Sequence, residues 1–432
     1  MVMVSLAAGC GDDGAVATGD DSSSDTGTWA DTTFSSVDTT STSTTSTPST
    51  TTDTTTTTAD TSGTTEDPSA SSESEASSTG DPVAPLGPPL EQALDIDFDP
   101  LALALDDLDG DGILDLLVTG TSKSGVVGAS LLGMGNGGFG DPIDAGIGAC
   151  SAYPITGAID DDASADLYFG TCVDDPVFYL AAGDGTFVST QVLDPWLEPP
   201  VRSSRFVDHD DDGDDDLVVL TVGNNDPQLH LATQGGDLTW PLTSSSAATG
   251  DAAFDPDGLS IAWLDDDARG DVLLFDANES LAYMIAEEGG YAAAVAIALD
   301  LEPTTIAPFD IDDDGLDDLV VGSRTGGTLQ IVHNQAPDFE REDVLDLGGV
   351  APLELAVARW GDGNVHVAVL DAGAPEVQVL ESDGAGRLTN VETIALPSLA
   401  VRLLHGDLDG DGSMDLVAAT FAAGSITVIL GQ

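Results

Sequence analysis

The feature that most constrains this chain is a ten-residue acidic motif that returns at a nearly constant interval. DLDGDGILDL occupies residues 107–116, DHDDDGDDDL 208–217, DIDDDGLDDL 310–319 and DLDGDGSMDL 407–416. The shared pattern is D-x-D-x-D-G-x-x-D-L, and chance does not place six fixed positions four times in one chain. Two degenerate copies lie between them. AIDDDASADL at 158–167 keeps Asp160, Asp162 and Asp166, and WLDDDARGDV at 263–272 keeps Asp265, Asp267 and Asp271. Both lack the first Asp and carry Ala163 or Ala268 in place of the Gly. The closing Asp residues of these copies stand at 115, 166, 216, 271, 318 and 415, at intervals of 51, 50, 55, 47 and 97. The last interval is two repeats long. Near its middle ARWGDGNVHV keeps Asp362 and Gly363 but has His366 in the closing position. The chain therefore holds seven repeats of about fifty residues.

A period of that length with regular turn signals points to a propeller or another repeat array. Local patterning decides between them. Each motif follows an alternating apolar stretch, such as LALAL before Asp107, and leads into a second apolar run: LLVTG, LYFGT, LVVLTV, VLLF, LVVG, VAVL or LVAAT. Two further short strands follow in most repeats, as in ASLLGMG and FGDPIDAGI. Four short antiparallel strands make one blade, so the expected fold is an all-β, seven-bladed β-propeller spanning residues 83–432. The last repeat stops at SITVILGQ without a fourth strand, and PLEQALDIDF (89–98) is a spare strand at the other end. That N-terminal strand is expected to complete blade seven and remove the open edges.

Four carboxylates within nine residues repel one another unless a cation lies between them. The spacing lets a tight loop turn the first, third, fifth and ninth side chains onto one point, and the Gly at the sixth position tolerates a left-handed turn. The seventh residue (Ile113, Asp214, Leu316 or Ser413) can add a backbone carbonyl. Hard oxygen ligands in a flexible loop suit Ca²⁺ better than Mg²⁺. An EF-hand is excluded, because its twelfth-position Glu is replaced by Val118, Val219, Val321 or Ala418, each inside a strand. About four calcium ions are therefore expected, held by Asp107, Asp109, Asp111 and Asp115; by Asp208, Asp210, Asp212 and Asp216; by Asp310, Asp312, Asp314 and Asp318; and by Asp407, Asp409, Asp411 and Asp415. The degenerate second and fourth loops leave binding open, and the sixth is expected to be metal-free.

With these loops in view, residues 83–432 resemble the FG-GAP/VCBS-type propellers, whose best-known members are integrin α-subunit heads. LLGMGNGGFGDP (131–142) and LAAGDGTF (180–187) are similar to that family's Gly-rich, Phe-bearing turn. The resemblance implies that the calcium loop joins the first two strands of each blade on one face, while ligands meet the opposite face. That face would carry TSKSG (121–125), TVGNNDP (221–227) and GSRTGG (322–327).

The first 82 residues read differently. MVMVSLAAGC resembles a bacterial lipobox with Cys10 as the lipid-bearing residue, and residues 1–9 are expected to be a truncated signal peptide. Leu6 stands one place further from Cys10 than the usual leucine, and no basic region precedes it. Residues 10–82 are almost wholly Thr, Ser, Asp, Gly, Ala and Glu, too poor in apolar side chains to fold, and are expected to be a disordered, lipid-anchored tether. Of the remaining cysteines, Cys150 and Cys172 flank the second loop. They are expected to form a disulfide in an oxidising compartment, with two buried thiols as the alternative.

The chain carries 78 acidic and 9 basic residues, for a net charge of −69. Nucleic-acid binding is excluded, because phosphate contacts need Lys and Arg. Adsorption to anionic lipid is opposed too, so the membrane is reached only through the lipid anchor. No run of apolar residues is long enough to span a bilayer. A monomeric secreted, cell-surface or outer-membrane lipoprotein acting as a binding or adhesion module for a protein or glycan ligand is the expected function, with a lectin as the alternative. Lectins stack sugars on aromatic rings, and aromatics make up only 5% of the chain. A hydrolase or lyase at the central channel is the least supported reading, and no catalytic residue is assigned. His209, His230, His333, His366 and His405 lie in separate repeats without motif spacing, and His209 is expected to face solvent.

Overall fold

The computed structural model describes residues 86–432 except 123–124, 149–153, 161, 170–176, 191–200, 211, 213, 224–225, 235–239, 249–255, 277–279, 336–337, 361–362 and 385–386. Cys10, Cys150, Cys172, the leader and the tether lie outside the described residues, as does Asp362. Seven antiparallel sheets follow one another along the chain, as the repeat predicts. Blade one is typical: Asp99–Asp106, Asp115–Ser122, Gly125–Leu131 and Ile143–Asp144 pair in sequence order. Blade four inserts a small hairpin, Ala286–Glu287 with Gly290–Tyr291, before its outer strand. In blade five the third strand, Thr328–Gln335, pairs with both Asp338–Arg341 and Leu345–Asp346.

The second strands are apolar on both faces because each blade is sandwiched between two others. In blade one, Leu116 and Val118 pack into a cluster shared with blade seven, while Leu117 packs into one shared with blade two. Seven such clusters fill the seven interfaces between neighbouring blades. The core is therefore a ring of wedges, one for every pair of blades. The wedge between blades two and three is aromatic: Phe178 stacks on Trp240 at 5.3 Å and Tyr168 meets Phe178 at 4.9 Å. Gly157 makes room there, since a β-carbon would come within 2.5 Å of the Phe206 ring.

Blade seven is made from both ends of the described chain. Arg402–Gly406, Asp415–Thr420 and Ser425–Ile429 supply three strands, and Leu90–Ala93 supplies the outermost. Its register runs from Leu90↔Val428 to Ala93↔Ser425. The closing strand is shorter than the 89–98 expected, because Asp95 adopts φ 49° and turns the chain inward. Leu94, Ile96 and Phe98 then pack into the wedge between blades seven and one. Leu86 adds a bridge to Gly431 and is buried between blades six and seven. Gln92 fastens the seam to blade one by a reciprocal pair: its Nε2 donates to the Phe139 carbonyl at 2.9 Å, and the Phe139 amide donates to its Oε1 at 3.1 Å.

Removal of this strand strips Leu86 and Leu94 from the core, at about 2–3 kcal/mol each, and exposes the edge of Ser425–Ile429. A chain starting at residue 83 is expected to melt with the full-length chain. A chain starting at residue 99 is expected to melt roughly 10 °C lower and to aggregate. Equal melting temperatures in scanning calorimetry would show that blade seven does not depend on the seam.

Candidate metal centres

Each candidate loop joins the first and second strands of its blade. Its first aspartate folds it. In loop one, Asp107 Oδ1 accepts from the amides of Gly110 at 2.8 Å and Asp111 at 3.1 Å, while Oδ2 accepts from Gly112 at 2.8 Å. Asp109 accepts from the Asp111 amide at 3.2 Å and Asp111 from the Ile113 amide at 2.9 Å. Loop seven repeats the pattern, with Asp407 taking the amides of Gly410 at 2.8 Å and Gly412 at 3.0 Å. Loop five is similar: Asp310 accepts from Asp314 at 3.2 Å and Gly315 at 3.1 Å. In loop three Asp208 accepts from Asp212 at 3.2 Å. The described sixth-position glycines are left-handed as the motif requires, at φ 84° for Gly112, 91° for Gly315 and 87° for Gly412, while Gly213 lies outside the described residues. Sequence reasoning missed a second left-handed position, the fourth, at φ 78° for Gly110, 75° for Gly410 and 64° for Asp313. The available signal was the Gly at that place in DLDGDG.

The closing aspartate has a different role from the others. In all six loops that have one, it is at most 1% exposed, whether Asp115, Asp166, Asp216, Asp271, Asp318 or Asp415. One oxygen accepts from the amide of the loop's second residue at 2.8–3.2 Å: Leu108, Ile159, His209, Leu264, Ile311 or Leu408. The other accepts from an amide at or just beyond the end of the blade's third strand at 2.6–2.8 Å: Gly133, Ala181, Gln234, Ala286, Asn334 or Gly431. Burial raises the carboxyl pKa to about 6 for Asp115, Asp166 and Asp415 and about 7 for Asp216 and Asp271. The amide bonds oppose that rise, and the other loop carboxylates reinforce it. Because Asp166 and Asp271 make the same clamp in degenerate loops, the closing Asp by itself does not mark a metal site.

Convergence of carboxylates separates the loops. One oxygen from each of Asp107, Asp109 and Asp115 lies within 4.8 Å of the others, and the same holds for Asp208, Asp210 and Asp212, for Asp310, Asp312 and Asp314, and for Asp407, Asp409 and Asp415. Asp111, Asp216, Asp318 and Asp411 stand outside these trios. Among the described residues, loops two and four form no such group. In loop four Arg269 folds back onto Asp267 at 2.9 Å and supplies a positive charge from the chain itself. Both degenerate loops also borrow a carboxylate from the next blade. Asp215 Oδ2 accepts from the Ala158 amide at 2.8 Å, and Asp317 Oδ2 accepts from the Trp263 amide at 2.9 Å, each at the place where the first Asp is missing.

Loop six is three residues shorter than the others: Arg359 pairs with Val365 across five residues, whereas Asp106 pairs with Asp115 across eight. His366 stacks on Trp360 at 4.7 Å and its Nδ1 meets the Asn364 carbonyl at 3.1 Å, so an aromatic pair replaces the clamp. His209 corrects an expectation. It is 1% exposed rather than solvent-facing, because the second position of each of the six loops with a closing Asp points into a wedge between blades. Its Nε2 lies 3.1 Å from the Glu287 carbonyl of the blade-four hairpin, and burial lowers its pKa. The glycine-rich turns lie at the same end of the blades as the loops and bury Phe139 and Phe187. The segment 322–327 joins second and third strands at the opposite end, as do the described residues of 121–125 and 221–227.

The clamp is testable apart from any ion. Asp166→Ala leaves two buried amides without acceptors and is expected to cost about 3 kcal/mol, with excess chelator present throughout. Denaturant titration that finds the variant as stable as the parent would show that water replaces the carboxylate.

No family model and no curated protein matches the chain. Solved structures similar to it include two crystals of BBS1N in complex with ARL6DN. The one soaked with mercury has a TM-score of 0.55 at 14% identity, covering 79% of this chain and 95% of that one. The one soaked with lead has a TM-score of 0.53 at 14% identity, covering 81% and 98%. At that identity the likeness is one of architecture: the chain is a seven-bladed β-propeller similar to the BBS1N propeller.

Proposed function

We propose that this chain is a displayed binding module of the FG-GAP/VCBS kind, stiffened by about four structural calcium ions and held at the cell surface through a lipid on Cys10. The observation that carries the reading is the convergence of carboxylate oxygens to within 4.8 Å in loops one, three, five and seven. Like charges at that separation repel, and a hard dication offsets the repulsion. Loops two and four have other solutions, Arg269 in one and a neighbouring carboxylate in both. The ions would sit between the two inner strands of their blades, at one end of the ring, and leave the opposite end free for a protein or glycan ligand.

Extracellular calcium modules bind with Kd of about 0.1–1 mM, and each ion at ten to a hundred times that concentration adds roughly 1.4–2.7 kcal/mol. Calorimetry is expected to count about four calcium ions, and excess chelator is expected to lower the melting temperature strongly. Fewer than three ions at millimolar calcium, or an unchanged melting curve, would overturn the calcium assignment.

The binding role has its own test. The intact chain on a glycan array and in a cell-surface pull-down is expected to retain a ligand in calcium and release it when residues of the 322–327 segment are replaced. Retention that is indifferent to that segment but lost on replacing the loops would put the ligand on the calcium face instead.

A further inference from the structure

Loop five differs from the other complete loops in one ligand-bearing residue that the motif does not contain. His333 sits on the third strand of blade five, one residue beyond the Leu319↔Val332 pair and so across from Asp318. The corresponding places in the other complete loops are Leu132, Thr233 and Leu430. His333 is only 7% exposed, and its Nδ1 lies 3.2 Å from Asp318 Oδ2 and 3.8 Å from Asp312 Oδ2. One ligand atom from each of Asp312, Asp318 and His333 falls within 4.8 Å of the others. Asp312 carries a second oxygen, Oδ1, that is shielded from solvent and accepts no hydrogen bond among the described residues. The imidazole is held from behind, because the next residue, Asn334, donates its amide to Asp318 at 2.8 Å and its side-chain Nδ2 to the Leu264 carbonyl at 2.8 Å.

We propose that loop five is a mixed nitrogen–oxygen site that takes a borderline transition dication of the zinc class through His333, Asp312 and Asp318, while loops one, three and seven are oxygen-only. The inference rests on the reading of these loops as metal centres and assigns one of them a different ion. Imidazole is a good ligand for zinc and its neighbours, whereas calcium and magnesium select oxygen. Zinc bonds to nitrogen and carboxylate oxygen are about 2.0–2.2 Å long, which puts tetrahedral ligands roughly 3.3–3.6 Å apart. The separations of 3.2 and 3.8 Å bracket that spacing before any ion draws the groups together. Asp312 also belongs to the oxygen trio with Asp310 and Asp314, so the ion's place is set by whether nitrogen is favoured over a third oxygen. Binding at Nδ1 requires the ring to give up its proton there.

The test uses the full chain, stripped with chelator, dialysed into excess calcium and titrated with Co²⁺ and then Zn²⁺. One Co²⁺ per chain is expected to bind despite the calcium, with a visible absorption band that Zn²⁺ abolishes. His333→Leu, which installs the residue found in loops one and seven, is expected to weaken Co²⁺ binding roughly tenfold or more while calcium binding to the other loops persists. In the wild-type chain, zinc is expected to shift the ring nitrogens of a single histidine in NMR spectra, a readout that does not depend on a variant folding. Cobalt that is not retained against calcium, or that His333→Leu binds equally well, would overturn the proposal. If calcium still fills the loops in that case, only this inference falls; if neither ion binds, the calcium reading falls with it.

Discussion

A carboxylate sunk into the end of a β-sheet must find donors, and in this chain it finds the same two six times. The closing aspartate takes one amide from the loop ahead of it and one from the far end of the blade's third strand. Two strands that are not neighbours in sequence are thereby pinned to one loop, and the loop's first residues are pointed at the wedge between blades. That is why the second position is buried whether it is Leu, Ile or His. Charge in so enclosed a place is unfavourable, as the raised pKa of Asp216 and Asp271 records, and the two short amide bonds offset part of that cost.

The remaining loop carboxylates build on this hub. Where the first aspartate is present, it and the third converge with the fifth in loops three and five and with the closing aspartate in loops one and seven. Where the first is lost, the next blade reaches across: Asp215 and Asp317 occupy equivalent places, and each caps the amide that a first-position residue exposes. Loops two and four are therefore cross-braced by a carboxylate of the next blade. Arg359 extends the bracing to loop five, where it contacts Asp313 and donates to the Asp310 carbonyl at 3.2 Å. The left-handed Asp313, unusual for a residue with a side chain, is thus held by a neighbouring blade.

Much of the architecture was legible because its signals are local and repeated. The interval between closing aspartates gave the blade count, and apolar runs such as LLVTG gave second strands packed on both faces. The closing strand was legible as a spare element, but its length was not, since Asp95 turns the chain in a way that its residue type alone does not announce. What escaped was relational. Nothing in AIDDDASADL shows that Asp215, 57 residues on, caps Ala158. Likewise WLDDDARGDV did not reveal that Arg269 pairs with Asp267 of its own loop, because an Arg at the seventh position reads equally well as solvated. His209 was misread for the opposite reason: polarity suggested solvent, while position in the loop dictated burial. The uneven exchange of His333 for leucine became visible only once the third strand was set beside the loop.

The seam of blade seven also bears on how the chain is made. Ser425 donates from its hydroxyl to Glu91 at 3.1 Å across a separation of 334 residues. A ribosome releases Leu90–Ala93 long before their partner strand exists, so that segment must wait, unpaired, through the synthesis of six blades. Contacts this distant along the chain form slowly, because their loop entropy is lost before any hydrogen bond is gained. Each intermediate length presents a growing arc with an unsatisfied edge, and only the last few residues, Ser425–Ile429, convert it into a closed ring. The emergence of Ser425–Ile429 is thus the step that decides between an assembled propeller and a chain still open to its neighbours.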